Sequence, residues 1–338
     1  MKKNIALLAG GYSGEYIISL KTAHTIEQNL SRDLYDIYKI IITRDGWWHE
    51  TTDGARIAVD KNDFSISAGS RHIKFDAAFI AMHGTPGEDG RIQGYLDMMD
   101  IPYTTCNTIV SALTFNKSNC NKVVKDANVV GISNSVLIFR DQSYSIGNIL
   151  EQLKLPLFVK PNESGSSLGV SKVTHVQDLL PAIEKAFQED DQVLIEEFIE
   201  GRELTIGVYN INGKLQALPP TEIILGKSAI FDFEAKYMPG DTNEITPADI
   251  DADILEQLSG KAQYLYRYLN CRGVVRMDFI LQKTTNKLYF LEVNTMPGQS
   301  ESSIVPQQLR CAGIALHDFY NAMLEDTLNR HKPAIQSI

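Results

Sequence analysis

The sequence predicts an α/β protein that turns to α+β in its later part, and three observations carry that prediction. Over the first hundred residues strand-like apolar runs alternate with helix-like ones, the pattern of a parallel, Rossmann-like sheet with helices on both faces. From Gln192 onward the alternation stops and long strands follow one another directly. At 338 residues the chain exceeds what one hydrophobic core comfortably holds, so two or three domains are expected.

Taken in order, residues 4–10 read as a strand, 14–30 as a helix, 37–43 as a strand, 75–83 as a strand entering a Gly-rich loop, and 89–99 as a helix. The segment I-P-Y-T-T at 101–105 closes this unit. A second unit opens with a helix at 111–127 carrying Lys117, Lys122 and Lys125. It continues through strands at 135–139 and 157–160, a Ser- and Gly-rich loop at 162–169, and a helix at 176–187. Then come Q-V-L-I-E-E-F-I, R-E-L-T-I-G-V-Y and K-L-Q-A-L, with Asn212-Gly213 between the last two as a hairpin turn signal. Residues 225–250 are polar and irregular, and a loop of that length in a compact domain is usually functional, often an active-site cover. A helix at 250–269, a hairpin and two C-terminal helices complete the chain.

Composition excludes several classes. Hydrophobic residues at 43% and charged residues at 22% are ordinary for a globular protein in water. The net charge of -10 argues against a nucleic-acid binder, whose affinity rests on phosphate neutralisation by Lys and Arg. A nucleotide site needs only a few local cations and is not excluded. Cys106, Cys120, Cys271 and Cys311 are scattered, without a C-x-x-C pair or zinc-like spacing, which predicts reduced thiols and a cytoplasmic location. The start, M-K-K-N-I-A-L-L-A-G-G, is too short and too soon polar for a signal peptide. No apolar run approaches the roughly 20 residues of a membrane span, so no membrane partner is expected.

The richest segment is 273–303. It reads G-V-V-R-M-D-F-I-L, a short polar turn, then K-L-Y-F-L-E-V-N-T-M-P-G. Folded about Thr285, the two runs bring Asp278 opposite Glu292 and Arg276 opposite Asn294, all on one face because side chains alternate along a strand. Val275, Met277 and Phe279 are then expected on the other face with Leu291 and Val293. Opposed residues have β-carbons about 4.5–5.5 Å apart, and like charges there are destabilising. Many hairpins carry solvated surface carboxylates, but these interrupt long apolar runs in register with an Arg and an Asn. Two carboxylates and an amide oxygen make a hard oxygen set suited to Mg²⁺ shared with substrate phosphates.

Other motifs gather around this one. Lys160 ends an apolar strand and is followed by P-N-E-S-G-S-S-L-G-V, where Gly165 and Gly169 let backbone approach a ligand and Ser166 and Ser167 can donate to phosphate oxygens. The spacing is not that of a Walker loop. Glu196 and Glu203 flank a linker between strands, either as solvated charges or as acceptors for an adenine amine and ribose hydroxyls. The G-G-Y-S-G-E segment ends the first strand and opens a helix. Its spacing fails the dinucleotide fingerprint, and a carboxylate at Glu15 suits a ligand's ammonium group. His83, in H-G-T-P-G-E-D-G, is equally readable as a capped strand-end histidine or a site residue.

The segments H-G-T-P-G-E-D-G-R-I-Q-G, F-V-K-P-N-E-S-G-S-S-L-G-V-S-K-V, F-D-F-E-A-K-Y and L-E-V-N-T-M-P-G-Q-S-E-S-S resemble the signatures of the D-alanine–D-alanine ligases, in family order from Gly10 to about Gly313. Those enzymes belong to the ATP-grasp superfamily. The resemblance implies three domains: an N-terminal Rossmann-like substrate-binding domain at 1–108, a central ATP-grasp subdomain at 109–192, and a C-terminal ATP-grasp subdomain at 193–338. It implies ATP with Mg²⁺ or Mn²⁺, two ions, joining D-alanines from two subsites through an acyl phosphate for peptidoglycan precursors. It also implies a homodimer and no nucleic-acid partner.

Residue by residue, the resemblance implies that Asp278, Glu292 and Asn294 hold the metal. Lys117, Lys160, Ser167 and Lys236 would meet the phosphates, while Glu196, Glu197, Ile199 and Glu203 would hold adenine and ribose. Arg276 and the Gly298 amide would stabilise the tetrahedral oxyanion. Glu15, with His83 nearby, would anchor the first D-alanine's ammonium, and Ser303 the second D-alanine's carboxylate. Ser166 and Tyr237 would tie the covering loop to the helix that follows Glu15. Three positions depart from the family pattern: Asn116 for an acid, Ile17 for a second acid after Glu15, and Gln299 for an apolar residue. Rival readings are a D-alanine–D-lactate or D-alanine–D-serine ligase, a non-catalytic ATP-grasp nucleotide-binding module, and an NAD-dependent oxidoreductase, the last failing on the glycine fingerprint.

Overall fold

The structure is a computed structural model that describes residues 2–51, 53–165, 168–225 and 242–330. It contains three sheets. The first is built from β1 (Lys3–Gly10), α1 (Tyr16–Asn29), β2 (Tyr35–Ile42), β3 (Trp47–Glu50), β4 (Arg56–Asp60), β5 (Ser65–Ala68), β6 (Arg71–Lys74), β7 (Ala77–Ile80) and α2 (Arg91–Met98). β1 runs parallel to β2 on one side and to β7 on the other. Ile5 through Ala9 are all fully buried, the unbroken apolar run of a strand covered on both faces. Residues 47–74, in which the sequence reading identifies no element, form four short antiparallel strands, giving a mixed sheet in the order β6-β5-β4-β3-β2-β1-β7.

The second sheet follows α3 (Thr108–Phe115) and α4 (Lys117–Ala127) and comprises β8 (Ser135–Phe139), β9 (Leu157–Pro161), β10 (Ser171–Val173) and β11 (Gln192–Glu197). Its order is β10-β9-β11-β8, with α5 (Ile146–Gln152) and α6 (Leu179–Ala186) against it. The single helix expected at 111–127 is two helices. Asn116 adopts an extended backbone, with φ -85° and ψ 100°, and its side chain accepts from the Asn119 amide. That is an N-cap, and it restarts the helix at Lys117.

The third sheet holds β12 (Gly201–Ile211), β13 (Lys214–Ala217), β14 (Thr221–Leu225), β15 (Thr242–Ile245), β16 (Gly273–Gln282) and β17 (Leu288–Asn294). Its path is β15-β14-β12-β16-β17, with β13 sharing the β14 edge of β12. α7 (Ala252–Tyr268) and α4 bury its apolar face. Between the stretches of β12 paired to β14 and to β13, Gln308 substitutes for a strand. Its side-chain oxygen accepts from the Gly207 amide at 2.9 Å and its nitrogen donates to the Thr205 carbonyl at 2.9 Å. Gln308 lies on α8 (Ile304–Cys311), so these bonds fix that helix to the sheet. The last helix, α9 (Leu316–Arg330), packs with α1 on the first sheet, where Tyr320 and Leu324 are fully buried. Among the described residues no helix is long and apolar enough to cross a membrane.

Candidate active site

The expected hairpin forms. Asp278 pairs with Glu292 and Arg276 with Asn294 across β16 and β17. One detail differs. A bulge after Asp278 shifts the register so that Phe279 pairs with Phe290, which leaves Leu291 as the extra residue. Phe290 is therefore buried in the core, while Leu291, expected there, turns with Glu292 toward a cavity. A bulge re-aims side chains locally and increases the twist.

Two cavities meet over this hairpin. The first, about 550 Å³, is bounded by apolar groups such as Phe158, Phe198, Ile223 and Leu291 and by the charged groups Lys160, Glu196 and Glu203. Glu197 and Ile199 also line it. The Glu197 carboxylate is held by the Asn134 amide group at 2.9 Å and the Lys154 backbone N–H at 2.8 Å. The second cavity, about 340 Å³, is lined by Glu15, His83, Asn294, Gly298 and Ser303. Lys117, Ser164, Gly165, Arg276 and Glu292 line both.

Lys160, Glu196 and Lys117 in the first cavity are each held by neighbours. Lys160 Nζ lies 2.5 Å from Glu196 Oε2, and Asn121 donates to Glu196 Oε1 at 2.9 Å. Lys117 follows directly from the Asn116 cap. Its backbone N–H donates to the Asn162 carbonyl at 3.1 Å, its Nζ donates to the Ser164 carbonyl at 2.6 Å, and Nζ is 3.8 Å from Glu292. Asn116 also donates to Glu163 Oε1 at 2.6 Å, which fastens α4 to the loop after β9. That loop brings Gly165 against α1, where a β-carbon would meet Glu15 Oε2 at 2.9 Å. A side chain there would displace the end of the Glu15 carboxylate.

On β16 the Arg276 guanidinium donates from Nε to Asp278 Oδ1 at 2.9 Å and from Nη2 to Oδ2 at 2.8 Å. Thr205, opposite Asp278 on β12, also donates to Oδ1. Each carboxylate oxygen offers two lone pairs, so Oδ2 of Asp278 keeps one acceptor site beyond these contacts. Asn294 Oδ1 accepts the Met296 amide at 2.8 Å and likewise keeps one lone pair. Among the described residues no group of three or more His, Cys, Asp or Glu side chains could hold a metal. The donor set is thus two carboxylates and an amide oxygen. It does not form an all-protein cage, but it fits a magnesium ion completed by substrate phosphates and water.

In the second cavity His83 is buried. Its Nδ1 lies 2.9 Å from the Met296 carbonyl, its Nε2 2.9 Å from Thr22 Oγ1, and Glu88 Oε1 is 3.8 Å from Nδ1. Burial alone would lower the His83 pKa, but the facing Glu88 and Glu15 carboxylates raise it above the ordinary value. Burial, reinforced by Glu15 and opposed by His83, raises that of Glu88. Gly298 stands beside Ser303, where a β-carbon would come within 2.7 Å of the Ser303 hydroxyl. Ser303 is the N-cap residue of α8, and its hydroxyl lies 2.7 Å from that of Ser300. Ile17 is 59% exposed, so this departure from the family pattern faces solvent.

Ser166, Ser167, Lys236 and Tyr237, with the covering loop at 226–241, lie outside the described residues. Sequence reasoning missed Thr22, Glu88, Asn121 and Thr205. A signal for the first existed: Ser19, Thr22 and Thr25 sit at helical spacing on the buried face of α1, where an amphipathic helix is ordinarily apolar.

Two family models match the chain, "D-ala D-ala ligase N-terminus" over residues 4–106 and "D-ala D-ala ligase C-terminus" over residues 132–325. The D-alanine–D-alanine ligase of Parabacteroides distasonis is 43% identical over 98% of this chain and 99% of its own length. That of Bacteroides fragilis strain YCH46 is 41% identical over 96% and 99%. Among solved structures, the VanG D-Ala:D-Ser ligase from Enterococcus faecalis superposes with a TM-score of 0.86 at 32% identity, covering 98% of this chain and all of that one. D-alanyl-alanine synthetase A from Vibrio cholerae gives 0.86 at 30%, covering 97% and 99%. The D-alanine–D-alanine ligase from Bacillus anthracis complexed with ATP gives 0.75 at 25%, covering 97% and 98%.

Proposed function

We infer, from the premise that this chain belongs to the D-alanine–D-alanine ligase family, that it joins two D-alanines to D-alanyl-D-alanine at the expense of ATP. The observation that carries the reading is the meeting of the two cavities at Lys117, Gly165, Arg276 and Glu292. A nucleotide in the larger cavity can deliver its γ-phosphate only across that shared wall, into the smaller one. The division at 1–108, 109–192 and 193–338 assigns the smaller cavity's Glu15 and His83 to the first domain and the nucleotide site to the other two.

In the first step the carboxylate of one D-alanine attacks the γ-phosphorus, an oxygen–phosphorus bond forms, and ADP leaves. In the second the amine of the other D-alanine attacks the acyl carbon, loses a proton, and inorganic phosphate leaves. Lys117 and Lys160 bind phosphate oxygens, and Glu203 and the backbone around Glu196–Ile199 receive ribose and adenine. Asp278, Glu292 and Asn294 would hold two magnesium or manganese ions, which when bound would neutralise charge on the transferring phosphates. Glu15 takes the first D-alanine's ammonium, Ser303 the second D-alanine's carboxylate, and Arg276 with the Gly298 amide receives the developing oxyanion. Ser166 and Tyr237 would tie the covering loop to the helix that follows Glu15, Lys236 would reach the γ-phosphate, and the closed cover would exclude water from the acyl phosphate. A cytoplasmic homodimer acting in peptidoglycan synthesis completes the proposal.

Phosphate release in the presence of ATP, Mg²⁺ and D-alanine is the test, and no D-alanine-dependent release would sink the reading. The likeness to a D-Ala:D-Ser ligase keeps D-serine as a second reading for the nucleophile. Competition between D-alanine and D-serine at equal concentration decides it, and mixed dipeptide as the main product would favour D-serine.

A further inference from the structure

The four residues from Met296 to Gln299 carry Gly298 from β17 toward α8, and this loop is gripped on both sides of the glycine. Before it, the Met296 carbonyl lies 2.9 Å from His83 Nδ1. A carbonyl only accepts, so that ring nitrogen carries the hydrogen. After it, the Gln299 backbone N–H donates to Thr22 Oγ1 at 3.4 Å. The same Thr22 oxygen is 2.9 Å from His83 Nε2. With Nδ1–H committed to Met296, the neutral imidazole accepts the Thr22 hydroxyl hydrogen at Nε2, whereas the imidazolium donates from Nε2–H to the Thr22 oxygen. One hydroxyl thus completes a ring of hydrogen bonds that spans Gly298. Thr22 is fully buried on α1, while His83 and Gln299 are 4% and 5% exposed. The Tyr320 hydroxyl adds a donor to Gln299 Oε1 at 3.1 Å. In this way the Gln299 side chain joins the grip.

Thr22 lines neither cavity, so whatever it does is done through His83 and Gln299. A threonine in mid-helix ordinarily turns its hydroxyl back to its own helix. This one reaches across to another element and ties down a loop. Groups aimed at a reacting centre keep their aim only when a supporting shell holds them.

We propose that Thr22 is a positioning residue for the ligation step, setting through His83 and Gln299 the direction of the Gly298 amide. The inference rests on the proposed role of that amide as an oxyanion donor. Thr22→Val keeps the shape and removes the hydroxyl, leaving His83 Nε2 and the Gln299 N–H without their partner. Thr22→Ser keeps the hydroxyl. Removing an oxyanion donor outright costs about 10²–10³ in kcat, so a misaimed one is expected to cost about tenfold.

The measurements are kcat, KM for ATP and D-alanine, and inhibition by a phosphinate dipeptide that mimics the tetrahedral intermediate. Thr22→Val should lower kcat and phosphinate affinity by the same factor, leave both KM values within about twofold, and be rescued by Thr22→Ser. Thr22→Ala carries the same expectation and serves if valine disturbs the packing. A hydroxyl-free variant with wild-type kcat and phosphinate affinity overturns the proposal, whatever its melting temperature. So does a fall in kcat with phosphinate affinity unchanged. Wild-type protein without D-alanine-dependent phosphate release would instead sink the ligase reading itself.

Discussion

Arg276 and Asp278, two residues apart on β16, are joined by a two-point fork: Nε to Oδ1 at 2.9 Å and Nη2 to Oδ2 at 2.8 Å. The proposed oxyanion donor is therefore held by a proposed metal ligand, and the two functions on this hairpin face are mechanically one. Both side chains are about nine-tenths buried. In such a pair each partner compensates the other's desolvation.

Asp278→Asn is accordingly expected to damage stability as well as activity. The amide keeps one acceptor for the guanidinium and turns a donor toward it at the other position. Charged hydrogen bonds and buried pairs of this kind put the loss at about 2–4 kcal/mol. Denaturant titration should show a lower midpoint with an unchanged slope, and ligation should be abolished. A midpoint equal to wild type would mean that Arg276 holds its place without Asp278.

Gln308 makes a prediction about the frame rather than the chemistry. Replacing it by Leu leaves the Gly207 N–H and the Thr205 carbonyl without partners at a buried gap in the sheet. Each buried orphan costs about 1–3 kcal/mol. Because Ser303 is the N-cap residue of α8, loosening the helix should also raise KM for D-alanine more than KM for ATP. Equal changes in the two KM values would separate Ser303 from the helix's anchoring.

Much of this site is legible in the sequence because charged residues break apolar runs at defined positions. Asp278, Glu292, Arg276 and Asn294 could be paired from the alternation on two strands. The bulge at Leu291 could not, since a one-residue irregularity leaves the composition of the strand unchanged. The split at Asn116 had a signal, an N-cap residue inside a helical pattern. Residues 47–74 had almost none, because strands of four and five residues barely complete one alternation. Thr22 and Glu88 acquire their roles from contacts to Gln299 and to His83, and a contact between Thr22 and Gln299 spans most of the chain.

The cysteines predict a simple reactivity pattern. Cys106, Cys120 and Cys271 are buried and Cys311 is exposed. Burial keeps reagent from all three inner thiols, and it also pushes the Cys120 thiol up to about 12, away from the reactive thiolate form. One thiol per chain should therefore react quickly with a disulfide reagent in the folded protein, and four in denaturant. Cys311→Ser should abolish the fast phase. A fast phase that survives the substitution would mean that the core beneath the third sheet opens readily.

The buried pair of His83 and Glu88 gives stability a pH dependence whose sign can be fixed. Both pKa values are raised in the folded protein, Glu88 from an ordinary 4.5 and His83 from an ordinary 6.5. A raised pKa means that the folded state binds the proton more tightly than the unfolded chain. The resulting stability is full below the ordinary value and is lost as pH rises through the raised one. Glu88→Gln removes the buried carboxyl, and with it the largest influence holding the His83 pKa up. The melting temperature of the variant should therefore gain on wild type as pH rises from about 4.5 through and above 6.5. A difference that stays constant over that range would mean that the pair keeps its ordinary affinity for protons. A difference that moves in wild type's favour would mean that the His83–Glu88 attraction outweighs the cost of burying the carboxylate.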